Sequence, residues 1–228
     1  MRWLVGITLG AFAAVGAAGT VPLDSTAGPS VLVDAAVGGG DLAPVVLGIA
    51  GLVYIASDLG SGAIGTTLIL VPSRRAVLAA KLIAVALLAL CVTGGTVVIA
   101  LVLAVITSAR LGGIGLGGTD DWLSAAVRLC SVFVCHAFLG AGVGLLLATT
   151  AGAIAAYLSA VFALPLLIAI AGIWLADVAR QLLASMPAML TTRVLHDFPP
   201  GMDLLRFLLI DLVVVVLGAV RMVRKAVR

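Results

Sequence analysis

Apolar residues fall in six long runs along the chain, and all of its charged residues but Arg206 and Asp211 lie in the intervals between them or at the two ends. The runs cover about 4–21, 43–57, 82–106, 131–148, 154–176 and 204–220. Roughly 20 apolar residues cross a bilayer as a helix, so the runs read as spans. The predicted fold is all-α: a polytopic membrane protein of six transmembrane helices, with 1–228 forming a single transmembrane domain. Arg2 followed by Leu4 to Val21 also fits a signal peptide, with small residues at Ala17-Ala18-Gly19. The retained helix is the reading taken. Gly6 and Gly10, and again Gly140 and Gly144, are small-xxx-small pairs suited to close helix contact. Pro165 predicts a kink in the fifth span.

The polar intervals differ in character. Residues 22–42 carry prolines, glycines and three aspartates but no base, and read as an acidic loop. Residues 107–121 are a Gly-rich loop, and Trp122 to Cys130 reads as an interfacial lead-in to the fourth span. The link at 149–153 is short and uncharged. Residues 177–203 form the large outer loop, where the spacing between Ala179 and Leu190 suits one or two short helices lying on the membrane face.

Composition settles the solvent. The chain is 63% hydrophobic and 10% charged, against roughly 45–50% and 25% in soluble domains. A soluble core of this size could not hide so much apolar surface. With six spans, both termini share a side. Placing them in the cytoplasm puts eight bases inside (Arg2, Arg74, Arg75, Lys81, Arg221, Arg224, Lys225 and Arg228). Five fall outside: Arg110, Arg128, Arg180, Arg193 and Arg206. Lys and Arg near the spans favour the cytoplasmic side. Among the acids only Asp58 falls inside, with eight outside and Asp211 within a span. The inverted topology is the alternative.

Catalytic chemistry finds little support. The chain has two histidines and no glutamate. No nucleophile, base or metal set converges by spacing. Cys135 beside His136 lacks zinc-site spacing, and the three cysteines read as small buried hydrophobes. Gly113, Gly115 and Gly118 match G-x-G-x-x-G, but without the strand and helix that a dinucleotide site needs. Neither Lys81 nor Lys225 follows a glycine, so there is no P-loop, and any ATP use falls to another polypeptide. The expectation is a chain without enzymatic activity, with no cofactor or metal of its own and no nucleic-acid partner.

Asp211 stands out. It lies ten residues before Arg221, about 15 Å along a helix and near mid-bilayer if Arg221 marks the inner surface. A carboxylate there costs roughly 2.5–3.5 kcal/mol on insertion scales. That implies an interior-facing position, a partner or protonation. Asp211 and His136 are therefore candidates for a translocation pathway. A hydrogen-bonded helix contact, or a shallower depth, is the alternative for Asp211.

The segment from Asp58 to Lys81 (DLGSGAIGTTLILVPSRRAVLAAK) carries Asp58, Arg74, Arg75 and Lys81 between two spans. Ile64 and Leu68 fall on one helical face at i, i+4. Pro72 stops the helix, and the three bases pin the next span to anionic lipid. Gly60, Gly62 and Gly65 weaken helicity, so such a helix needs a protein surface to hold it. The reading is a cytoplasmic handle for a separate motor subunit; an ordinary headgroup-binding loop is the alternative.

The pattern Asp58, Gly62, Ile64, Thr67-Leu68, Pro72-Ser73-Arg74 and Lys81, set between a second and third span, resembles the permease subunits of bacterial type-2 ABC exporters. The resemblance runs from about Val45 to the basic tail and takes in Thr150-Ala151-Gly152-Ala153-Ile154. It implies a homo- or heterodimer of permease subunits in the plasma membrane, bound to two nucleotide-binding ATPase subunits that hold ATP and Mg. The segment 58–81 would be the coupling helix, with Asp58, Gly62, Ile64, Thr67, Leu68, Pro72, Arg74, Arg75 and Lys81 as ATPase-coupling residues. Two departures matter. Asp58 stands where Glu is common, and Gly65 stands where an Arg usually follows the Ile, which puts charge-based docking there in doubt. The family's interfacial helix before the first span has no counterpart here, an expectation of reduced lipid anchoring or of a fuller partner subunit. The expected function is export of a hydrophobic or amphiphilic substrate such as a lipid, peptide or drug. The alternatives are a proton-coupled carrier using Asp211 or a membrane scaffold.

Overall fold

In a computed structural model the chain is all-helical, with no strand among the described residues. The structure describes residues 2–20, 28–60, 73–112, 115–172, 176–196 and 201–224. In order they form α1 (Arg2–Thr20), α2 (Pro29–Val37), a 3-10 turn (Gly38–Asp41), α3 (Ala43–Gly60) and α4 (Arg74–Arg110). Then come α5 (Thr119–Leu147), α6 (Thr150–Leu158), a π turn (Ser159–Ala163), α7 (Leu164–Ala171), α8 (Ala176–Ala184), α9 (Pro187–His196) and α10 (Gly201–Arg224).

Four of these are long and apolar enough to cross a membrane: α3, α4 from Ala76, α5, and the continuous run Thr150–Ala171. The protein is membrane-embedded in character. In α1 the apolar stretch is shorter, Gly6–Val15. The last helix, α10, spreads Asp203, Arg206, Asp211 and Arg221 along its length and is less apolar. At 37 residues, α4 is about 55 Å long and outreaches the roughly 30 Å hydrocarbon layer. Large side chains such as Leu87, Val98, Leu166, Leu167, Leu209 and Leu212 point outward. Glycines at 48, 51, 140, 142, 144 and 218 lie at close helix contacts within. That arrangement suits lipid outside and tight van der Waals packing inside.

The centre of the bundle is α5. Its start is capped by Asp121, whose carboxylate accepts the Gly118 amide at 2.8 Å, and Asp120 and Asp121 complement the helix dipole. Three glycines then divide its surface. Gly140 and Gly144 share one face, where α3 lies so close that a methyl on Gly140 would overlap the Gly48 carbonyl. Gly142 faces the other way, and a methyl there would meet Val214 of α10 at 2.8 Å. Both neighbours run parallel to α5: Gly140 meets Gly48 and Gly144 meets Leu52, while Gly142 meets Val214 and Leu145 meets Gly218. The first-helix glycines behave differently. Among the described residues, methyls on Gly6 and Gly10 would meet nothing within 4 Å, while one on Gly95 of α4 would meet Leu9 at 3.1 Å.

Several elements differ from the sequence expectation. The interval 22–42, expected as a loop, contains α2, whose Leu32, Val33, Ala36 and Val37 form a buried face, followed by the 3-10 turn. The lead-in Trp122 to Cys130 is already part of α5, and Arg128 is buried there. The interval 177–203, expected as the large outer loop with one or two short helices, contains most of α8 and then α9. Of these, α9 buries Leu190, Thr191, Val194 and Leu195 and packs against α5 and α10. Arg128 clamps this region, donating to the Leu195 carbonyl at 2.5 Å and to Asp34 at 3.1 Å. At the other end, Ala148 in the left-handed region (φ 54°) ends α5 and turns the chain into α6 within two residues. Ahead of Pro165 the helix widens into a π turn rather than continuing regularly.

Candidate functional site

Apart from the Arg128 clamp, two groups of buried polar side chains lie on or beside α5. The first is a hydrogen-bond chain through His136. Its Nδ1 lies 2.7 Å from the Tyr157 hydroxyl on α6, and its Nε2 lies 2.8 Å from the Thr191 hydroxyl on α9. Thr191 Oγ1 also lies 2.8 Å from the Pro187 carbonyl. A carbonyl only accepts, so the single hydroxyl proton of Thr191 is committed to it. Nε2 must then donate to Thr191, and Nδ1 accepts from Tyr157. The chain has one direction: Tyr157 to His136 to Thr191 to Pro187, with a neutral Nε2–H imidazole. All three side chains are buried. Phe207 of α10 packs edge-on to the imidazole with ring centroids 5.5 Å apart.

Beside this chain is a half-open cavity of about 200 Å³ lined by Asp41, Val45, His136, Val161, Phe162, Ala188, Thr191 and Thr192. The 3-10 turn, the start of α3, α5, the π turn and α9 each contribute to its wall.

The second place is Asp211. It is 4% exposed, on the face of α10 turned toward α5, and neither carboxyl oxygen has a hydrogen bond of ordinary geometry among the described residues. The Cys135 thiol, next to His136 in sequence, is its polar neighbour. Cys135 and His136 thus point to different features, the first to Asp211 and the second to Tyr157 and Thr191. Among the described residues no three His, Cys or Asp side chains converge as a metal site would need.

Of the sequence-predicted coupling residues only some are described. Gly62, Ile64, Thr67, Leu68 and Pro72 lie outside the described residues. Arg74 and Arg75 open α4, after Ser73 as its N-cap accepting from the Ala76 amide at 3.4 Å. Asp58 and Lys81 form an ion pair, with the ammonium also 4.7 Å from the Tyr54 ring centroid. The pair joins the end of α3 to the first turns of α4.

Sequence reasoning singled out His136 and Asp211 but not Tyr157, Thr191, Asp41 or the second glycine face at Gly142. Tyr157 and Thr191 lie 21 and 55 residues from His136, so no spacing rule links them. The chain matches no family model, no curated protein and no solved structure.

Proposed function

We propose that this chain is the membrane-embedded permease subunit of an ATP-driven exporter, moved by a separate nucleotide-binding ATPase acting on the segment 58–81. The observation that carries the reading is the ion pair between Asp58 and Lys81. It binds the two ends of that segment to each other, so a force applied between them reaches α3 and α4 together. From α3 the displacement passes to α5 and then α10 through glycine contacts that leave little slack. In this reading two permease subunits pair in the plasma membrane, each with an ATPase on its cytoplasmic face that supplies ATP and Mg. The cargo is hydrophobic or amphiphilic, in keeping with an interior of few charges.

The test is co-purification of the full chain with a P-loop ATPase encoded beside it, in wild type and in Ile64→Asp/Leu68→Asp. Co-elution lost in the double variant, with the permease still folded, supports the reading. Co-elution that survives it removes the segment as the docking point, and failure of the wild type to retain the ATPase removes the partner.

Asp211 favours a second reading, a carrier driven by protons. A buried carboxyl facing a thiol rather than a base can hold a proton in transit. Uptake or release of cargo that follows a proton gradient in vesicles without ATP would select this reading over the first.

A further inference from the structure

We infer that the half-open cavity beside His136 is a binding site for an uncharged hydroxyl compound, an apolar body about the size of one aromatic ring whose O–H donates to Thr192. The inference stands apart from the permease reading, because it concerns a ligand the chain would bind without any partner.

The hydrogen-bonding state of the described lining selects the ligand. His136 reaches the cavity with both ring nitrogens committed, one to Tyr157 and one to Thr191. The Thr191 hydroxyl proton goes to the Pro187 carbonyl, and one of its lone pairs takes the Nε2–H of His136. The Thr192 hydroxyl proton goes to the Ala188 carbonyl, 3.3 Å away. Thr192 is the more exposed of the two and still presents its lone pairs to the cavity. Asp41 also reaches the wall but already has a partner within the protein, so recognition falls to the hydroxyl. A ligand O–H brings the proton that Thr192 lacks; an ether or a carboxylate brings none. An ammonium brings protons together with a charge that a neutral hydroxyl does not compensate, and burying an unpaired charge is costly.

The apolar part of the wall sets the rest of the molecule. Val45 of α3, Val161 and Phe162 of the π turn and Ala188 of α9 line it. A cavity of about 150 Å³ holds one benzene ring, and this one is about 200 Å³. One ring with a one-carbon arm fits, with the Phe162 ring as its aromatic neighbour. The π turn brings both Val161 and Phe162 to the wall. Pro165 has no amide to give to a regular helix, the preceding turn widens, and Val161 is buried while Phe162 stays half exposed at the cavity. Single π turns inside helices are frequent at functional sites.

The experiment uses the full chain in detergent, isotope-labelled at histidine and carrying His196→Gln, which leaves His136 as its one histidine. The imidazole nitrogens of His136 are then read by magnetic resonance while benzyl alcohol, toluene or benzylammonium is titrated in. Because His136 is part of the cavity wall, uptake of a probe by the micelle alone does not register. Benzyl alcohol is expected to shift these signals saturably, and benzylammonium to bind more weakly. Thr192→Val removes the acceptor and should weaken benzyl alcohol about two- to tenfold, the worth of one hydrogen bond, while toluene binding stays the same. Thr192→Ser restores the oxygen and should restore the affinity for the alcohol. Ala188→Phe fills the space and should abolish the shift by either molecule. Because that variant can disturb α9, Phe162→Ala on the exposed side serves as a second check and should weaken both severalfold. A diacylglycerol in the bilayer carries the same donor on an apolar body. Phosphatidylcholine nanodiscs with and without diacylglycerol separate the sources: competition identifies the lipid hydroxyl, undiminished probe binding identifies a free alcohol, and both fit a hydroxyl site. No saturable shift in the wild type, benzyl alcohol binding indifferent to Thr192→Val, or benzylammonium binding as tightly as the alcohol overturns the inference.

Discussion

The Tyr157 hydroxyl sits between His136, to which it donates at 2.7 Å, and Gly48 of α3, which has no side chain to obstruct it. One residue supplies the contact and the other supplies the room. Removing the hydroxyl in Tyr157→Phe strands Nδ1 in a buried site, and a buried acceptor left unmade costs about 1–3 kcal/mol. Gly48→Ala should cost more, because its methyl would overlap the Tyr157 ring tip and sit 2.9 Å from the His136 carbonyl. In the Tyr157→Phe background the added penalty of Gly48→Ala should shrink. Thermal unfolding of the four proteins in one detergent measures this, and strictly additive losses would show that the two positions do not touch.

The glycines at 10 and 140 look alike in sequence and should respond oppositely to the same substitution. Gly140→Ala places a methyl on the backbone of α3, and the two helices must separate to admit it. Overpacking of this kind costs about 1–3 kcal/mol, occasionally more. Gly10→Ala meets open space and gains about 0.8–1.0 kcal/mol of helix propensity, so it should be neutral or stabilising. Gly142→Ala tests the second face of α5 and should resemble Gly140→Ala. Comparable midpoints for Gly10→Ala and Gly140→Ala would contradict the packing described for α5.

What was legible in the sequence was the apolar patterning. Long helices announce themselves because lipid leaves the backbone no other way to satisfy its hydrogen bonds. The small elements did not. Leu32, Val33, Ala36 and Val37 have helical spacing, but Pro29, Asp34 and the glycines at 38–40 made the interval read as a loop. Thr191 sits in a stretch whose polarity suggested a surface, and its burial arises from α9 folding back onto α5. Gly140 and Gly144 could be noticed as a pair; only packing assigns Gly142 to a different partner from theirs. His136 stood out because a polar ring within an apolar run needs partners, yet nothing in one sequence says that they come from α6 and α9. The coupling residues from Gly62 to Pro72 lie outside the described residues, and for them the sequence pattern remains the ground of the reading.

The link between Asp58 and Lys81 predicts rescue by charge exchange. Each single reversal, Asp58→Lys or Lys81→Asp, should place like charges together between α3 and α4. The double reversal should recover most of the loss. Asp58 is 38% exposed on its side chain and Lys81 13%, so water screens the pair and its coupling should be about 1 kcal/mol or less. Lys81→Asp also removes the cation near the Tyr54 ring, so recovery should be incomplete. A double-mutant cycle on chemical unfolding gives the coupling directly, and a value of zero would reduce the pair to a chance approach of two long side chains.

Asp211 predicts a separation of stability from function. Its carboxyl is buried without an ordinary hydrogen bond among the described residues, and no ion pair there compensates it. Leu at this position keeps most of the volume and removes the polar atoms, and relieving an unsatisfied buried group is worth about 1–3 kcal/mol. Asp211→Leu is therefore expected to match or exceed the wild-type thermal midpoint. If the carboxyl serves the passage of cargo or protons, the same variant should lose transport in vesicles despite its stability, and Asp211→Asn should lose it too while keeping the shape. A destabilised Asp211→Leu would mean that the carboxyl holds α10 to α5 through Cys135. A stable variant with wild-type transport would remove Asp211 from the pathway. Only the combination of a sturdier fold and lost transport is what a side chain kept for function at the expense of packing would give.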